Sequence, residues 1–238
     1  MLSIAITTMR RYEFLKESLP VYLAHPDVGE VIVCDETGED TEAIKQTPFY
    51  TNSKLSLILN EQRLGIYQNK RKALSLATYP YVAVLDSDNH FSEEWLDQIV
   101  EAIRSQKQTG KTIFASAEFK NMDVNTGSLT FPCQEFSDLH LDRKSWNQMF
   151  QRPRWNFLLN DGNWVVPRES IECLPAEIAS ESLQAADAIF MLQCFIKGGY
   201  AIHYLPGLSY LHIVHDGSTW LKTAKESTRI LNSTNWLL

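Results

Sequence analysis

At 238 residues, 44% hydrophobic and 21% charged, the chain has the make-up of a soluble globular protein of one large domain or two small ones. Its net charge of −7 excludes a global basic field for nucleic acid or an acidic membrane, leaving only local basic patches. No stretch approaches the roughly 18 apolar residues of a membrane-spanning helix, and the opening MLSIAITTMRR lacks the pattern of a secretory signal. Cys34, Cys133, Cys173 and Cys194 are scattered with no CxxC pair. This argues against a zinc knuckle and fits reduced thiols in a cytoplasmic protein, at most peripheral to a membrane.

The first half alternates short apolar runs with helical patterns. LSIAIT (2–7) reads as a strand, and YEFLKESLPVYLA (12–24) carries apolar residues at helical spacing. EVIVCDE (30–36) is a second buried strand, followed by a short helix near 40–46 and a third strand, LSLILN (55–60). GIYQNKRKALSLAT (65–78) is a helix with a basic face, and YVAVLDSD (81–88) is a fourth strand. SEEWLDQIVEAIRS (92–105) has the clearest helix signature, with Ser92 as N-cap, acids in its first turn and Arg104 near its end. TIFASAEF (112–119) is a fifth strand. From 120 to 165 the chain is polar, aromatic and irregular; a long helix is expected near 180–197, then a strand at GYAIHYL, the segment SYLHIVHDGSTW, and a helical tail, LKTAKESTRIL. This alternation predicts an α/β fold with a mostly parallel sheet flanked by helices. Without a linker-like shift in composition, 1–238 reads as one domain with functional halves at 1–119 and 120–238.

Ligands of open α/β sheets bind outside the carboxyl ends of the strands. Thr7, Thr8, Asp35, Glu36, Asn60, Asp86 and Asp88 therefore share a predicted edge. Nucleotide motifs of other kinds fail: the first turn, TTMRRYEF, has no glycine, and QTGKT (108–112) has Ser105 where a phosphate loop needs its first glycine. A phosphatase of the haloacid dehalogenase type usually carries its acidic pair on the first strand rather than the fourth, and stays a competing reading. The pair in YVAVLDSDNH requires a positive partner. A divalent cation, Mn²⁺ or Mg²⁺, suits it, because such ions take one or two carboxylates plus substrate phosphates.

Four ordered motifs together resemble the GT-A fold glycosyltransferases of family 2. SIAITTMRRYEFL is similar to the family's SIIIPTYNRPEYL, EVIVCDETGEDTE to EIIVVDDGSTDGT, LNEQRLGIYQNKRKAL to the Asn and glycine-led third helix, and AVLDSDNHF to the DxD strand end. Asp187 lies eleven residues before Gly198, and His212 thirteen after Gly199, as is usual in that family. The chain departs from the pattern in the first loop (Thr7-Thr8-Met9-Arg10 for Pro-Thr-Tyr-Asn), in Asn69-Lys70-Arg71 for Ala-Arg-Asn, and in Ala186 for a second acid.

The resemblance implies an inverting, metal-dependent transfer of a sugar, of hexosyl or deoxyhexosyl type, from a nucleoside diphosphate sugar to a hydroxyl of a glycan or other acceptor. It implies Asp88, Asp86 and His212 as metal ligands, with His215 able to substitute. Thr8, Asp35, Asn60, Asp86 and Ser87 would meet the donor, and Lys70 either its diphosphate or solvent. Asp187 would be the general base, with Asp161 in LNDGNW as runner-up. Trp164 and Trp155 are candidate flat faces for the acceptor sugar. Two other classes stay open: a sugar-phosphate nucleotidyltransferase, which would carry a glycine-rich first loop, and a non-catalytic sugar-nucleotide or carbohydrate-binding module.

Overall fold

The computed structural model describes residues 1–106, 111–130, 136–160, 163–178 and 183–238. In chain order, β1 (Leu2–Thr8), α1 (Tyr12–Ala24), β2 (Val28–Asp35), α2 (Glu39–Lys45), β3 (Leu55–Leu59), α3 (Ile66–Ser75), β4 (Tyr81–Asp86) and α4 (Glu93–Ser105) make up the first half. The second contains β5 (Thr112–Asp123), β6 (Leu129–Thr130), β7 (His140–Leu141), α5 (Trp146–Met149), α6 (Trp155–Leu159), β8 (Trp164–Pro167), α7 (Asp187–Lys197), β9 (Ala201–Val214) and α8 (Thr219–Leu231). One sheet runs β3-β2-β1-β4-β8-β5-β9-β7, with β6 paired to β5.

β1, β2, β3 and β4 are parallel. Every residue of β1 is buried, as in a strand covered by helices on both faces, which is why LSIAIT reads as a continuous apolar run. α4 starts as its sequence dictates: Ser92 Oγ accepts from the Trp95 N–H at 3.1 Å, and Glu93 and Glu94 fill the first turn. Its apolar face of Trp95, Leu96, Ile99 and Val100 is buried. There Trp95 stacks on Phe91, ring centroids 3.7 Å apart, and donates to Ser116 Oγ at 2.9 Å.

Besides β6, β7, α5 and α6, which also lie in the stretch read as irregular, three elements differ from the sequence expectation. The irregular stretch hides β8, a four-residue WVVP run inserted antiparallel between β4 and β5. It is too short to show a period. The long helix begins at Asp187 rather than near 180; residues 183–185 form a turn, and 179–182 lie outside the described residues. The GYAIHYL strand and SYLHIVHDGSTW are largely one strand, β9. Its pairing with β5 slips between Ser116 and Glu118, opposite Pro206 and Gly207, and Gly207 has φ +73°. A bulge of this kind bends a strand and re-aims the residues beyond it, here the His212–His215 end.

β9 is parallel to β5, while β8 is antiparallel to both β5 and β4. The carboxyl end of β9 therefore lies on the same sheet edge as those of β1, β2 and β4. The turn after β4 is tied to it directly: His90 and Leu211 exchange backbone hydrogen bonds of 3.0 and 3.1 Å, and Asn89 Oδ1 accepts from the Ile213 N–H at 3.2 Å. At the chain's end, Trp236 is buried, accepting from Trp146 Nε1 at 2.6 Å and donating to the Ile230 carbonyl at 3.0 Å. Its role is thus to cover the core. No helix among the described residues is long and apolar enough to cross a membrane.

Candidate active site

Strand register gathers the predicted edge residues. Thr7 pairs with Asp86, Thr8 with Asp35 and Asp35 with Leu59, the residue before Asn60. Over this edge lies a cavity of about 360 Å³, lined among others by Thr7, Thr8, Arg11, Glu36, Lys70, Asp86, Asp88, Asp187 and His212. That size suits a small organic ligand.

Two positive groups answer the carboxylate pair, one for each. Lys70 Nζ donates to Asp86 Oδ2 at 2.9 Å and to Asp187 Oδ2 at 2.8 Å. Its side chain is only 3% exposed. Burial alone would lower its pKa, but the charges and hydrogen bonds of Asp187 and Asp86 win, and the ammonium is held above its ordinary value. Asp86 Oδ1 also accepts from Thr7 Oγ1 at 3.2 Å. Asp88 Oδ2 is met by Arg11 Nη1 at 2.8 Å and His215 Nε2 at 2.9 Å. Burial pushes its pKa up; the His215 hydrogen bond and the Arg11 charge outweigh that and hold it below the usual carboxylate value. The Gly217 N–H donates to His215 Nδ1 at 3.1 Å, which assigns the ring proton to Nε2, facing Asp88. His212 lies in the pocket wall.

Arg11 owes its position to Asp40. The first turn of α1 has no side-chain cap of its own. Instead, the buried Asp40 carboxylate accepts from the N–H groups of Arg11 at 2.8 Å and Tyr12 at 2.9 Å, and from Thr8 Oγ1. Asp40→Ala strands these donors. An expected loss of about 1–2 kcal/mol of unfolding free energy, typical of a lost cap, is measurable by urea denaturation; unchanged stability would refute the capping role.

Some predicted residues sit elsewhere. Asp35 is 0% exposed, and its oxygens accept from the N–H groups of Thr37 at 3.0 Å and Thr41 at 2.8 Å, so it shapes the turn into α2 rather than facing the cavity. Its neighbour Glu36 does face it: Oε2 accepts from the Leu64 N–H at 2.8 Å, while Oε1 is buried with no hydrogen-bond partner among the described residues. Asn60 is buried between Asn69 and Lys72, to which it bonds at 2.9 and 2.8 Å. Ser87 is buried, its N–H donating to the Thr7 carbonyl at 3.1 Å. Trp164 is 1% exposed, edge-on to Phe195 in the core, and offers no face to a sugar. Trp155 is half-buried against Phe150, in a small hollow beside Trp220. The aromatic side chains in the main cavity wall are Phe157 and Trp220 among the described residues. Asp161 lies outside the described residues.

A cation at Asp88 would find an oxygen and an imidazole nitrogen 2.9 Å apart. Such ions complete their shell with substrate phosphate and water, so this donor pair fits Mn²⁺ or Mg²⁺ if Arg11 yields its contact and the His215 ring proton moves from Nε2 to Nδ1.

A largely parallel α/β sheet, paired acids after the fourth strand and a basic helix beneath them define a GT-A glycosyltransferase fold. Residues 3–172 match the family described as Glycosyl transferase family 2, and the chain belongs to it. Among solved structures, S. aureus TarS 1–349 is similar with TM-score 0.65 and 15% identity, over 98% of this chain and 66% of that one. The TarS 1–349 complex with UDP-GlcNAc gives 0.67 and 13%, over 98% and 67%. A longer TarS gives 0.66 and 16%, over 98% of this chain and 40% of that one. The chain thus spans about two thirds of the TarS 1–349 structures and less than half of the longer one. Comparison with curated proteins returns no match.

Proposed function

We propose that the chain transfers a hexosyl or deoxyhexosyl group from a nucleoside diphosphate sugar to a hydroxyl acceptor, with inversion. The observation that carries this is the convergence of Asp86, Asp88, Lys70 and Asp187 on one cavity in a family 2 chain. The similarity to a structure bound to UDP-GlcNAc makes a uridine diphosphate sugar the first donor to test. On this reading residues 1–119 hold the donor and 120–238 the acceptor.

Asp88 and His215, with Asp86 and His212 close by, would hold Mn²⁺ or Mg²⁺, whose chemistry is to neutralise charge on the departing diphosphate. Asp86, held by Lys70 and Thr7, faces the donor's ribose or sugar hydroxyls. Glu36, through its unengaged oxygen, takes the part expected of Asp35, accepting from the base or ribose. Asp187 takes the proton of the acceptor hydroxyl as that oxygen attacks the anomeric carbon. Phe157 and Trp220 supply the flat surfaces for the acceptor that Trp164 cannot.

The test is thermal unfolding with UDP, UDP-GlcNAc and other sugar nucleotides, with and without Mn²⁺. Binding raises apparent stability by about 2.7 kcal/mol at a ligand concentration of 100 Kd. A shift that requires Mn²⁺ and is lost in Asp88→Ala supports the reading. No shift with any nucleotide, or one indifferent to both metal and Asp88→Ala, removes it.

A further inference from the structure

A second cluster of donors lies away from the cavity. Asp138, His140 and His203 place one ligand atom each within 4.8 Å of one another. His203 Nε2 is 3.0 Å from Asp138 Oδ1, and His140 Nε2 is 3.8 Å from the same oxygen. The arrangement comes from backbone register. His140 of β7 is the direct antiparallel partner of His203 of β9, so both rings leave the same face of the sheet. They stack with centroids 3.9 Å apart and planes 19° from parallel. Asp138 reaches them because its backbone is left-handed, φ +61°, with its N–H donating to the Tyr204 carbonyl at 3.0 Å.

We propose that Asp138, His140 and His203 form a binding site for a transition-metal ion of the zinc class, separate from the donor pocket. Two imidazoles and one carboxylate suit Zn²⁺, and also Ni²⁺ or Cu²⁺, far better than Mg²⁺. Tetrahedral Zn²⁺ with bonds of about 2.0–2.1 Å sets its ligand atoms about 3.3 Å apart. The 3.0 and 3.8 Å separations of the two Nε2 atoms from the Asp138 oxygen bracket that value, and the site is completed when the stacked rings turn so that both in-plane lone pairs point at one ion. Binding takes the Nε2 lone pair of His203, so the bound ring carries its proton on Nδ1. Asp138 and His140 side chains are 71% and 67% exposed, so an ion enters without moving a cover.

The site is distinct from the DxD turn by the geometry of the sheet. Ala83 pairs with Val165, Val165 with Phe114, and Phe114 with His203. Three strand spacings of about 4.8 Å, plus the three residues from Ala83 to Asp86, put the two places roughly 15–20 Å apart. The role is structural. β7 is two residues long at the sheet edge, paired among the described residues only with β9; an ion bonded to both strands fastens it there.

The experiment uses chelator-stripped full chain titrated with ZnCl₂, read by calorimetry and by melting temperature. Zn²⁺ is expected to bind one-to-one at this site and raise the melting temperature, while Mg²⁺ does not. His140→Ala and His203→Ala each weaken that binding at least tenfold, since even losing a hydrogen-bond partner of a ligand costs about 10–100-fold. Asp88→Asn leaves it intact. Because both histidines sit at the edge strand pair, the variants are checked for an unchanged far-ultraviolet dichroism spectrum; Asp138→Asn serves as a third variant that keeps both rings. Zn²⁺ binding that survives all three substitutions, or that vanishes with Asp88→Asn, overturns the proposal.

Discussion

Replacing Lys70 with methionine is expected to lower the unfolding free energy by about 3–5 kcal/mol, the cost of stranding a buried charge by removing its partner. Among the described residues Lys70 is the single cation shared by Asp86 and Asp187 in the hydrogen bonds of the pocket. The two acids do not suffer equally. The Asp86 side chain is 30% exposed and keeps access to water; that of Asp187 is 7% exposed and does not. The uncompensated charge therefore resides mainly on Asp187, and Asp187→Asn in the Lys70→Met background should restore part of the loss. Urea unfolding of the two single variants and the double variant measures this directly. A Lys70→Met protein as stable as the parent, or a double variant no better than Lys70→Met, would show that the pairing carries no weight.

The same residue shows what local sequence can and cannot reveal. Lys70 sits on the basic face of a helix, and nothing nearby in the chain separates a solvated lysine from a buried one. Its deciding partner, Asp187, is 117 residues away. The first four strands are legible because parallel strands covered on both faces are continuous apolar runs, and α4 because Ser92 and the two acids after it mark its start. β8 is not, being four residues with no room for a period. β9 reads as two pieces because Pro206 and Gly207 interrupt it. The strand-end acids are legible as a set, since register carries all of them to one edge. Which of two adjacent acids faces the cavity is not: consecutive strand residues point to opposite sides. Asp35 turns inward to its own loop while Glu36 lines the pocket. Trp164 misleads for a related reason, since a tryptophan serves a core or a sugar equally well and only burial decides.

Arg11 escapes sequence reading, although it stands in register with the arginine of the family's first loop. Its signal is indirect: Asp40 in the second motif caps α1 from another element and so delivers the guanidinium to Asp88. The acidic pair is thus neutralised without any ion, one acid by lysine and one by arginine with histidine. On the proposed reading, cation binding competes with Arg11 for the same Asp88 oxygen. It also needs the Nε2 lone pair of His215, so the ring proton moves to Nδ1 and the Gly217 N–H contact is given up.

Asp187→Asn is expected to reduce kcat by about 10²–10⁴-fold, the range for losing a positioned general base, while leaving donor affinity close to that of the parent. The split comes from geometry. Among the described residues only Oδ2 of Asp187 is engaged, by Lys70 at 2.8 Å, so Oδ1 is left for the acceptor hydroxyl. An asparagine keeps an oxygen to accept from Lys70 and preserves the shape of the pocket, but cannot take a proton. On the proposed reading donor binding depends instead on Asp86, Asp88 and Glu36, on other elements. The measurements are single-turnover rates with a saturating sugar nucleotide, and donor dissociation constants by calorimetry. Asp161→Asn is the comparison, because Asp161 is the competing base. If Asp187→Asn turns over normally and Asp161→Asn does not, the base is Asp161, and Lys70 with Asp187 is a structural pair. If Asp187→Asn loses donor binding along with turnover, Asp187 belongs to the donor half of the pocket and the acceptor is activated from elsewhere.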